Sequence, residues 1–344
     1  MAHIILHIKE MFTVNHRWQE KMALSAGALA VILLSITCAR TPPSVGKSRD
    51  IVVIASSVDT ALVSHNIQIY NYVPQRERLF YFLFAADTAI HAYDKFHTIF
   101  LYGSLEDEFM NLLLSQDAKQ ATISDTFNLF KLHDVWARNQ LCVVLAASER
   151  GYIAQGIEKF SPLIREILEE NFYQRIKENY YSKGIDQKTK TALSTMGFTF
   201  DVGEAWLIDS THKEDNFIYL HAHFPDRSIF FYTEDQKEAI TASYAHAKRD
   251  TITSKYYNGD YILKELTHAE PIEFKDMSGI RLRGVWQNDS LVAGGPFISY
   301  FLKRGDTLRV IDALLFYPGE RKSDFLMTLE VILNSFEISE IELQ

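Results

Sequence analysis

Three arginines and one tryptophan are the residues of this sequence best suited to binding chemistry. Arg281 and Arg283 lie two positions apart in a predicted strand, so their side chains share one face, and Trp286 follows them. A guanidinium group binds carboxylates and phosphates through paired hydrogen bonds and stacks on planar rings. Together with Arg249, these residues predict a site for an anionic or carbohydrate ligand. The structural alternative is that the arginines pair with Asp250, Asp289 or other nearby carboxylates and fix a hairpin.

Two histidines offer a weaker hypothesis, a metal site. His221 and His223 alternate along another predicted strand and therefore share a face, and Asp226 is close in sequence. Protein metal sites use three or four ligands at fixed distances, and the spacing identifies no further ligand. We therefore expect an exposed strand face here, with no metal and no other cofactor.

Signatures of common catalytic sites are missing from the sequence. There is no Gly-x-Ser-x-Gly motif to support a hydrolase triad, and Gly294-Gly295 precede a proline and a strand rather than a phosphate-binding helix. Cys142 lies in an apolar run, which predicts a buried side chain rather than a nucleophile. The sequence therefore predicts no catalytic residue.

The N-terminus predicts a lipoprotein signal peptide over residues 1–38. An uncharged apolar run, Met22–Thr37, follows several basic residues and ends at Cys38. The run is shorter than the roughly 20 residues that a membrane-spanning helix needs. Ser35-Ile36-Thr37-Cys38 resembles the lipobox of bacterial lipoproteins, in which the cysteine is lipidated, although Ile36 and Thr37 depart from its usual small residues. The alternatives are a plain transmembrane anchor and an ordinary cleaved signal.

The residues after the cysteine predict where the anchored protein is located. Ala39 is not aspartate and no acidic cluster follows it, which by resemblance to lipoprotein sorting rules favours the outer membrane, facing the periplasm. Residues 39–49 contain two prolines with glycine and serine, and they predict a flexible tether. The membrane is therefore the first expected partner of this protein.

Composition predicts a globular protein that does not bind nucleic acid. The chain has 344 residues, 47% of them hydrophobic and 13% aromatic, which is enough for one large or two ordinary domains. The formal net charge is −9, and no basic stripe is present to release counterions from DNA or RNA.

Hydrophobic patterning predicts an α+β fold with two similar-sized halves, residues 50–196 and 197–344. Each half is expected to contain a mainly antiparallel sheet covered by helices. The segment Leu141–Ile167 resembles Val310–Phe336 in its order of apolar strand, polar turn and amphipathic helix. This likeness raises the hypothesis of a duplicated ferredoxin-like unit.

Several individual elements can be placed from the sequence. A long amphipathic helix begins near Ile153, with a kink or restart expected at Pro162. A second helix is predicted over Glu234–Lys248. A strand, turn and strand are predicted from Gly279 to Tyr300, with the returning strand broken at Gly294-Gly295-Pro296.

With these motifs in view, the chain resembles a family of Bacteroidota lipoproteins, domain of unknown function 4837 (DUF4837). The most specific matching pieces are Arg283-Gly284-x-Trp286 and Gly294-Gly295-Pro296-Phe297. Gln287 stands where the family pattern is expected to have glutamate, so an acidic role is absent at that position. The resemblance implies an envelope location and an α+β fold, and it implies no activity.

The family resemblance also implies a modification. Bacteroidota envelope proteins carry O-linked glycans at Asp-Ser or Asp-Thr followed by a small or aliphatic residue. Six such positions occur here: Thr60, Thr88, Ser210, Thr251, Ser290 and Thr307. The alternative is that these dipeptides occur by coincidence.

The sequence as a whole favours a lipid-anchored envelope component that binds a protein or glycan partner or has a structural role. The rival hypothesis is a periplasmic hydrolase acting on envelope glycans or peptides. A binding module predicts an apolar or Arg/Trp-lined groove without a nucleophile and base. An enzyme predicts converging titratable groups with perturbed pKa values in a cleft.

Overall fold

A computed structural model describes residues 41–72 and 74–339 of this chain. The strands in chain order are β1 (Asp50–Ala55), β2 (Tyr70–Tyr72), β3 (Arg76–Arg78), β4 (Tyr81–Ala86), β5 (Thr98–Ser104), β6 (Phe127–His133), β7 (Leu141–Ala147), β8 (Phe198–Thr199), β9 (Leu207–Asp209), β10 (Phe217–Ala222), β11 (Asp226–Asp235), β12 (Tyr261–Ile262), β13 (His268–Phe274), β14 (Met277–Asn288), β15 (Ala293–Arg304), β16 (Thr307–Phe316) and β17 (Glu337–Ile338). The α-helices are α1 (Thr60–Ile67), α2 (Ile90–Tyr93), α3 (Glu108–Leu113), α4 (Gln116–Asp125), α5 (Ile153–Tyr181), α6 (Gln187–Ser194), α7 (Ala242–Tyr256) and α8 (Ser323–Leu333). No helix within the described ranges has both the length and the apolar character needed to span a membrane.

The chain forms two compact units, and the predicted α+β class is confirmed. The described part of the N-terminal unit runs to Ile69 and continues over Phe80–Asn171. The C-terminal unit contains Tyr70–Leu79 and the chain from Phe172 onward. The predicted boundary at 196/197 therefore falls inside the C-terminal unit, because helix α5 carries the chain from one unit to the other without a linker.

The sheet of the N-terminal unit is mainly parallel, contrary to the antiparallel prediction. Its order is β4-β1-β5-β7-β6, with β1, β4, β5 and β7 parallel and β6 antiparallel to β7. Every residue of β5 and β7 is buried, as expected for parallel strands covered on both faces. The unbroken apolar run of β7 is the sequence signal for burial on both faces, since a half-exposed strand alternates polar and apolar residues.

The described part of the predicted tether is packed against the N-terminal unit. The Val45 amide donates to Lys95 O at 2.8 Å, and the Val45 carbonyl accepts from the His97 amide at 2.8 Å. Pro42 and Arg138 are joined by a further backbone hydrogen bond of 2.8 Å. Residues 42–45 are therefore not a free linker, because their backbone groups are paired with the unit.

The C-terminal unit contains an antiparallel sheet in the order β12-β14-β15-β16-β11-β10-β9, with β13 also paired to β14. Because strand side chains alternate, neighbouring residues belong to different cores. On one face of the sheet, the core contains Ile298 together with Leu329 and Ile332 of α8. On the other face, the core contains Phe297 together with Ala245 of α7. The two units differ in strand order and direction, so the topology does not support a duplicated ferredoxin-like unit.

Two local predictions in the C-terminal unit are wrong. The helix expected over Glu234–Lys248 begins later, because β11 continues to Asp235 in register with β16 and Thr241 caps α7. The returning strand β15 is not broken at Gly294–Pro296, since all three residues pair with β14. Gly295 is required there by a close approach: an added Cβ would lie 2.0 Å from the Leu315 carbonyl oxygen.

The predicted helix beginning near Ile153 is confirmed, and it passes through Pro162 without a restart. The Ser161 hydroxyl donates to the Glu158 carbonyl at 2.9 Å within this helix. Ile157, Ile164 and Leu168 are buried, as the amphipathic pattern predicts.

Candidate functional site

The face of the sheet that carries α8 holds two of the predicted ligand-binding arginines. Arg281 Nε donates to Glu270 Oε1 at 2.8 Å, and its Nη1 lies 3.4 Å from Glu330 Oε1. Arg283 donates to the same Glu330 oxygen. The two side chains share a face, as predicted, and their partners are carboxylates of the same unit.

Arg249 and Trp286 lie on the opposite face, with α7. Arg249 is fully buried; its Nε lies 2.7 Å from Asp312 Oδ2 and 3.2 Å from Ser299 Oγ. The Trp286 indole Nε1 donates to the Leu315 carbonyl at 3.3 Å. The sheet thus separates these two residues from Arg281 and Arg283, and the four do not form one site. Each arginine pairs with a carboxylate, although the partners are Asp312, Glu270 and Glu330 rather than the aspartates named in the structural alternative.

Trp286 borders a cavity of about 490 Å³ on the α7 face. The lining residues are mainly aromatic, aliphatic or acidic, with a few other polar side chains: Asp209, His212, Phe217, Tyr219, Asp226, Arg227, Ser228, Tyr256, Tyr257, Asn258, Asp260, Trp286, Leu291, Ala293, Leu314 and Phe316. A concave, mostly apolar space of this size with a few polar groups is typical of small-molecule sites.

Aromatic rings from four elements build the walls of this cavity. Phe217 of β10 stacks on Tyr256 of α7 with ring centroids 4.0 Å apart. Tyr219 meets Tyr257 edge to face at 5.4 Å. The Trp286 ring of β14 lies 6.3 Å from a phenylalanine of β16. Rings packed against one another in this way hold their positions before any ligand arrives.

Three carboxylates accompany these rings. Asp209 pairs with Tyr219 in register, and Asp226 pairs with Phe316, so both side chains project from the cavity face of the sheet. Asp209 and Asp226 are exposed at the rim. Asp260 is only 4% exposed and accepts a hydrogen bond from Asn288 Nδ2 at 2.7 Å.

The environment moves the pKa values of these groups in different directions. Burial raises the pKa of Asp260, because the charged form loses hydration. Hydrogen bonds from Thr211 lower the pKa of Asp209. Burial raises the pKa of the Tyr219 phenol, and the negative charges of Asp209, Asp226 and Asp260 raise it further. All three carboxylates therefore disfavour ionisation of the same phenol, that of Tyr219.

The one guanidinium among the lining residues is directed away from the cavity. Arg227 alternates with Ser228 on β11, and its Cζ lies 5.6 Å from the Trp206 ring and 5.7 Å from the Phe325 ring, in the core of the α8 face. Burial lowers the pKa of Arg227. The Ser228 hydroxyl is paired with the Tyr257 hydroxyl at 3.1 Å, so the cavity's serine is not bonded to a base.

The two histidines of the metal hypothesis lie close together. The His221 and His223 rings are 5.4 Å apart, and His223 Nδ1 lies 2.7 Å from Asp226 Oδ1. Burial and the neighbouring His223 lower the pKa of His221. Over residues 41–72 and 74–339 there is no group of three or more side chains able to hold a metal ion.

The predicted modification sites can be placed except for one. Cys38 lies outside the described residues. Thr307 is half-buried in β16, and the other five O-glycosylation candidates are exposed: Thr60, Thr88, Ser210, Thr251 and Ser290. Cys142 is buried, as predicted, and burial raises the pKa of its thiol.

Most residues of the cavity were missed in the sequence because they come from separate elements. A local signal was present: Tyr256, Tyr257, Asn258 and Asp260 are adjacent in sequence, at the end of α7. Polar and aromatic residues clustered between two elements are typical of binding loops. Trp286 alone among the predicted ligand-binding residues lines the cavity.

Comparison with known proteins gives a similarity to one family over part of the chain and no activity. No curated protein matches the chain. Among solved structures, cyanobacterial PsbP (CyanoP) from Synechocystis sp. PCC 6803 is similar at 10% identity over 42% of this chain and 88% of its own, with a TM-score of 0.30. A protein from Bacteroides thetaiotaomicron VPI-5482 is similar at 7% identity over 41% of this chain and 44% of its own, with a TM-score of 0.25.

The family match falls on the unit that contains the cavity. Residues 186–335 match the family model described as Domain of unknown function (DUF4837). This range includes Arg249, the β14–β15 hairpin and every lining residue of the cavity. Over residues 186–335, this protein is therefore similar to the DUF4837 family.

Proposed function

We propose that this protein is a lipid-anchored component of the cell envelope that binds a small ligand in the cavity of its C-terminal unit. The observation that carries the binding function is the cavity itself, about 490 Å³ in volume and walled by packed aromatic rings. Its serine is bonded to a tyrosine rather than to a base, so a binding role fits it better than nucleophilic catalysis.

The proposed location is supported by the leader sequence. The apolar run Met22–Thr37 followed by Cys38 fits a lipid-modified cysteine, and Ala39 fits retention in the outer membrane, facing the periplasm. The envelope is then the source of the ligand, with an envelope glycan or protein as a further partner. The net charge of −9 disfavours nucleic acid.

The binding function is tested by filling the cavity. Ala293→Phe places a ring inside it, whereas Val292→Phe adds the same ring one residue earlier, at a side chain that is 90% exposed. Both variants are purified from the native envelope beside the wild type, checked for folding by circular dichroism, and analysed for retained small molecules by native mass spectrometry. We expect the wild type and Val292→Phe to retain a ligand that Ala293→Phe loses. Equal retention by all three would show that the cavity is not the binding site.

The anchor is tested with the two cysteines of the chain. Cys38→Ser should abolish incorporation of an alkyne-tagged fatty acid and release the protein from the membrane fraction, because the thiol carries the lipid. Cys142→Ser is the matched control and should remain labelled. Labelling that persists in Cys38→Ser would exclude lipidation at that residue.

One observation favours a second function, hydrolysis of an envelope glycan. Asp260 and Asp209 line the same cavity, and their pKa values move up and down respectively, as in enzymes that pair an acid with an ionised carboxylate. If the protein is a glycosidase, it will release the chromophore from an aryl glycoside, and Asp260→Asn will abolish the release. Absence of turnover on aryl glycosides and peptidoglycan fragments would leave binding as the function.

A further inference from the structure

The charges and rings of the cavity identify a ligand class, and this step rests on the proposed binding function. We propose that the cavity binds a small organic cation, with a quaternary or primary ammonium group held among the aromatic rings and carboxylates. Three features of the cavity favour this ligand class: its rings, its acidic groups and the placement of its basic groups.

The rings are the first of these features. Aromatic faces carry partial negative charge and attract ammonium groups, and several rings around one space form the usual receptor for a quaternary ammonium ion. Six aromatic side chains line this cavity: Phe217, Tyr219, Tyr256, Tyr257, Trp286 and Phe316. The rings come from both α7 and the sheet, so a ligand entering between them meets aromatic carbon on more than one side.

The acidic groups are the second feature. Asp209 and Asp226 stand at the rim, and Asp260 is 4% exposed within the wall. The side-chain donor to Asp260 is Asn288, a neutral amide. The positive charge of Arg249 also acts on Asp260, but that guanidinium is already paired with Asp312. A buried carboxylate is costly unless an opposite charge accompanies it. An ammonium ion in the cavity supplies that charge.

The basic groups exclude the opposite ligand class. Of the lining residues, only His212 and Arg227 have basic side chains. The Arg227 guanidinium packs on the other face, over Trp206 and Phe325. His212 is half exposed, with its Nδ1 4.0 Å from Asp215. A phosphate or carboxylate would therefore meet three carboxylates and little positive charge, which opposes its binding.

Isothermal titration of the full chain with matched cationic and neutral probes tests this inference. Choline is compared with 3,3-dimethyl-1-butanol, its uncharged carbon analogue, and ethanolamine with 1-propanol. We expect at least one cation to bind about tenfold or more tightly than its neutral analogue, because a charge-assisted contact in a desolvated site is worth about that factor. Equal affinity within both pairs would overturn the inference.

Carboxylate variants locate the charge effect. Asp260→Asn keeps an oxygen for the Asn288 amide and removes the charge, so the affinity for the cation should fall about tenfold while the neutral analogue is unaffected. Asp289→Asn is the control: it removes the same charge from an exposed residue of the β14–β15 turn, outside the lining. An equal loss in both variants would show a long-range charge effect rather than a site.

The outcomes separate this inference from the proposed function. If neither cation binds, or if glycan fragments bind instead, the ligand class is wrong. The retention experiment with Ala293→Phe then still decides whether the cavity is a binding site. If Ala293→Phe retains ligand as the wild type does, the proposed function itself fails, regardless of the titration result.

Discussion

At the scale of single residues, burial gives the charge of Arg249 a structural role rather than a ligand-binding role. Its side chain is fully buried, bonded to Asp312 and Ser299, with its Cζ 3.7 Å from the Phe297 ring centroid. A guanidinium with these partners fixes α7 to the sheet and has little freedom to bind a ligand. The sequence showed the arginine, but its carboxylate partner lies 63 positions away.

We predict that Arg249→Ala lowers the free energy of unfolding by about 3–5 kcal/mol, because it leaves the Asp312 carboxylate buried without its counter-charge. Urea denaturation followed by circular dichroism measures the change. Lys255→Ala, on the same helix, is the control: its exposed pair with Asp215 is screened by water, so its effect should be far smaller. Similar losses in both variants would contradict this role for the buried pair.

At the scale of elements, Glu234 joins β11 to α7. Its carboxylate accepts hydrogen bonds from Tyr232 at 2.7 Å and Tyr244 at 2.9 Å, and it pairs with Lys248. Burial alone would raise the pKa of Glu234, but hydrogen bonds from Lys248, Tyr232 and Tyr244 outweigh it, and the net direction is downward.

This lowered pKa predicts a pH dependence of stability. In the unfolded chain a glutamate has a pKa of about 4.3, so the stabilisation from ionised Glu234 is complete above that value and is lost as pH falls through the lower folded pKa. The difference in unfolding free energy between wild type and Glu234→Gln should therefore be constant near neutrality and shrink below about pH 4.3. Urea titrations at several pH values measure it, with Glu273→Gln, at an exposed residue of β13, as control. A difference that grows on acidification would contradict the assignment.

At the scale of the whole molecule, a short hairpin shows that chain order and domain membership differ. Strands β2 and β3 fall between elements of the N-terminal unit, yet residues 70–79 belong to the C-terminal unit. Glu77 explains this placement. Its carboxylate accepts from the amides of Lys322 at 2.8 Å and Ser323 at 3.0 Å, at the start of α8.

We predict that Glu77→Ala destabilises the C-terminal unit by about 1–2 kcal/mol, since it removes the acceptor for the first amides of α8. Faster hydrogen exchange in α8, together with a lower unfolding temperature, is the expected result. Arg78→Ala is a matched control in the same hairpin, because the contact from Arg321 is to its backbone carbonyl, which alanine retains. Unchanged exchange in α8 would show that the hairpin does not cap the helix.

The sequence by itself determined the features that depend on neighbouring residues. Apolar spacing predicted the helix from Ile153, the strands around Arg281 and the burial of Cys142. These features depend on side-chain periodicity, which is set by residues only a few positions apart. The leader and Cys38 remain predictions of the same local kind, since they lie outside the described residues. The Arg-Gly-x-Trp motif also indicated the DUF4837 family.

Only the tertiary structure decided the features that depend on distant partners. Strand direction in the N-terminal unit follows from which strands pair. The unbroken apolar run of β7 indicates burial on both faces but does not specify its partner strands. The sheet also placed Arg281 and Trp286 on opposite faces and joined Trp286 to Tyr219, Tyr256 and Asp260 around one cavity. These residues come from separate elements of the chain. They come together because of the register of β9–β16 and the packing of α7, and no single stretch of sequence encodes either.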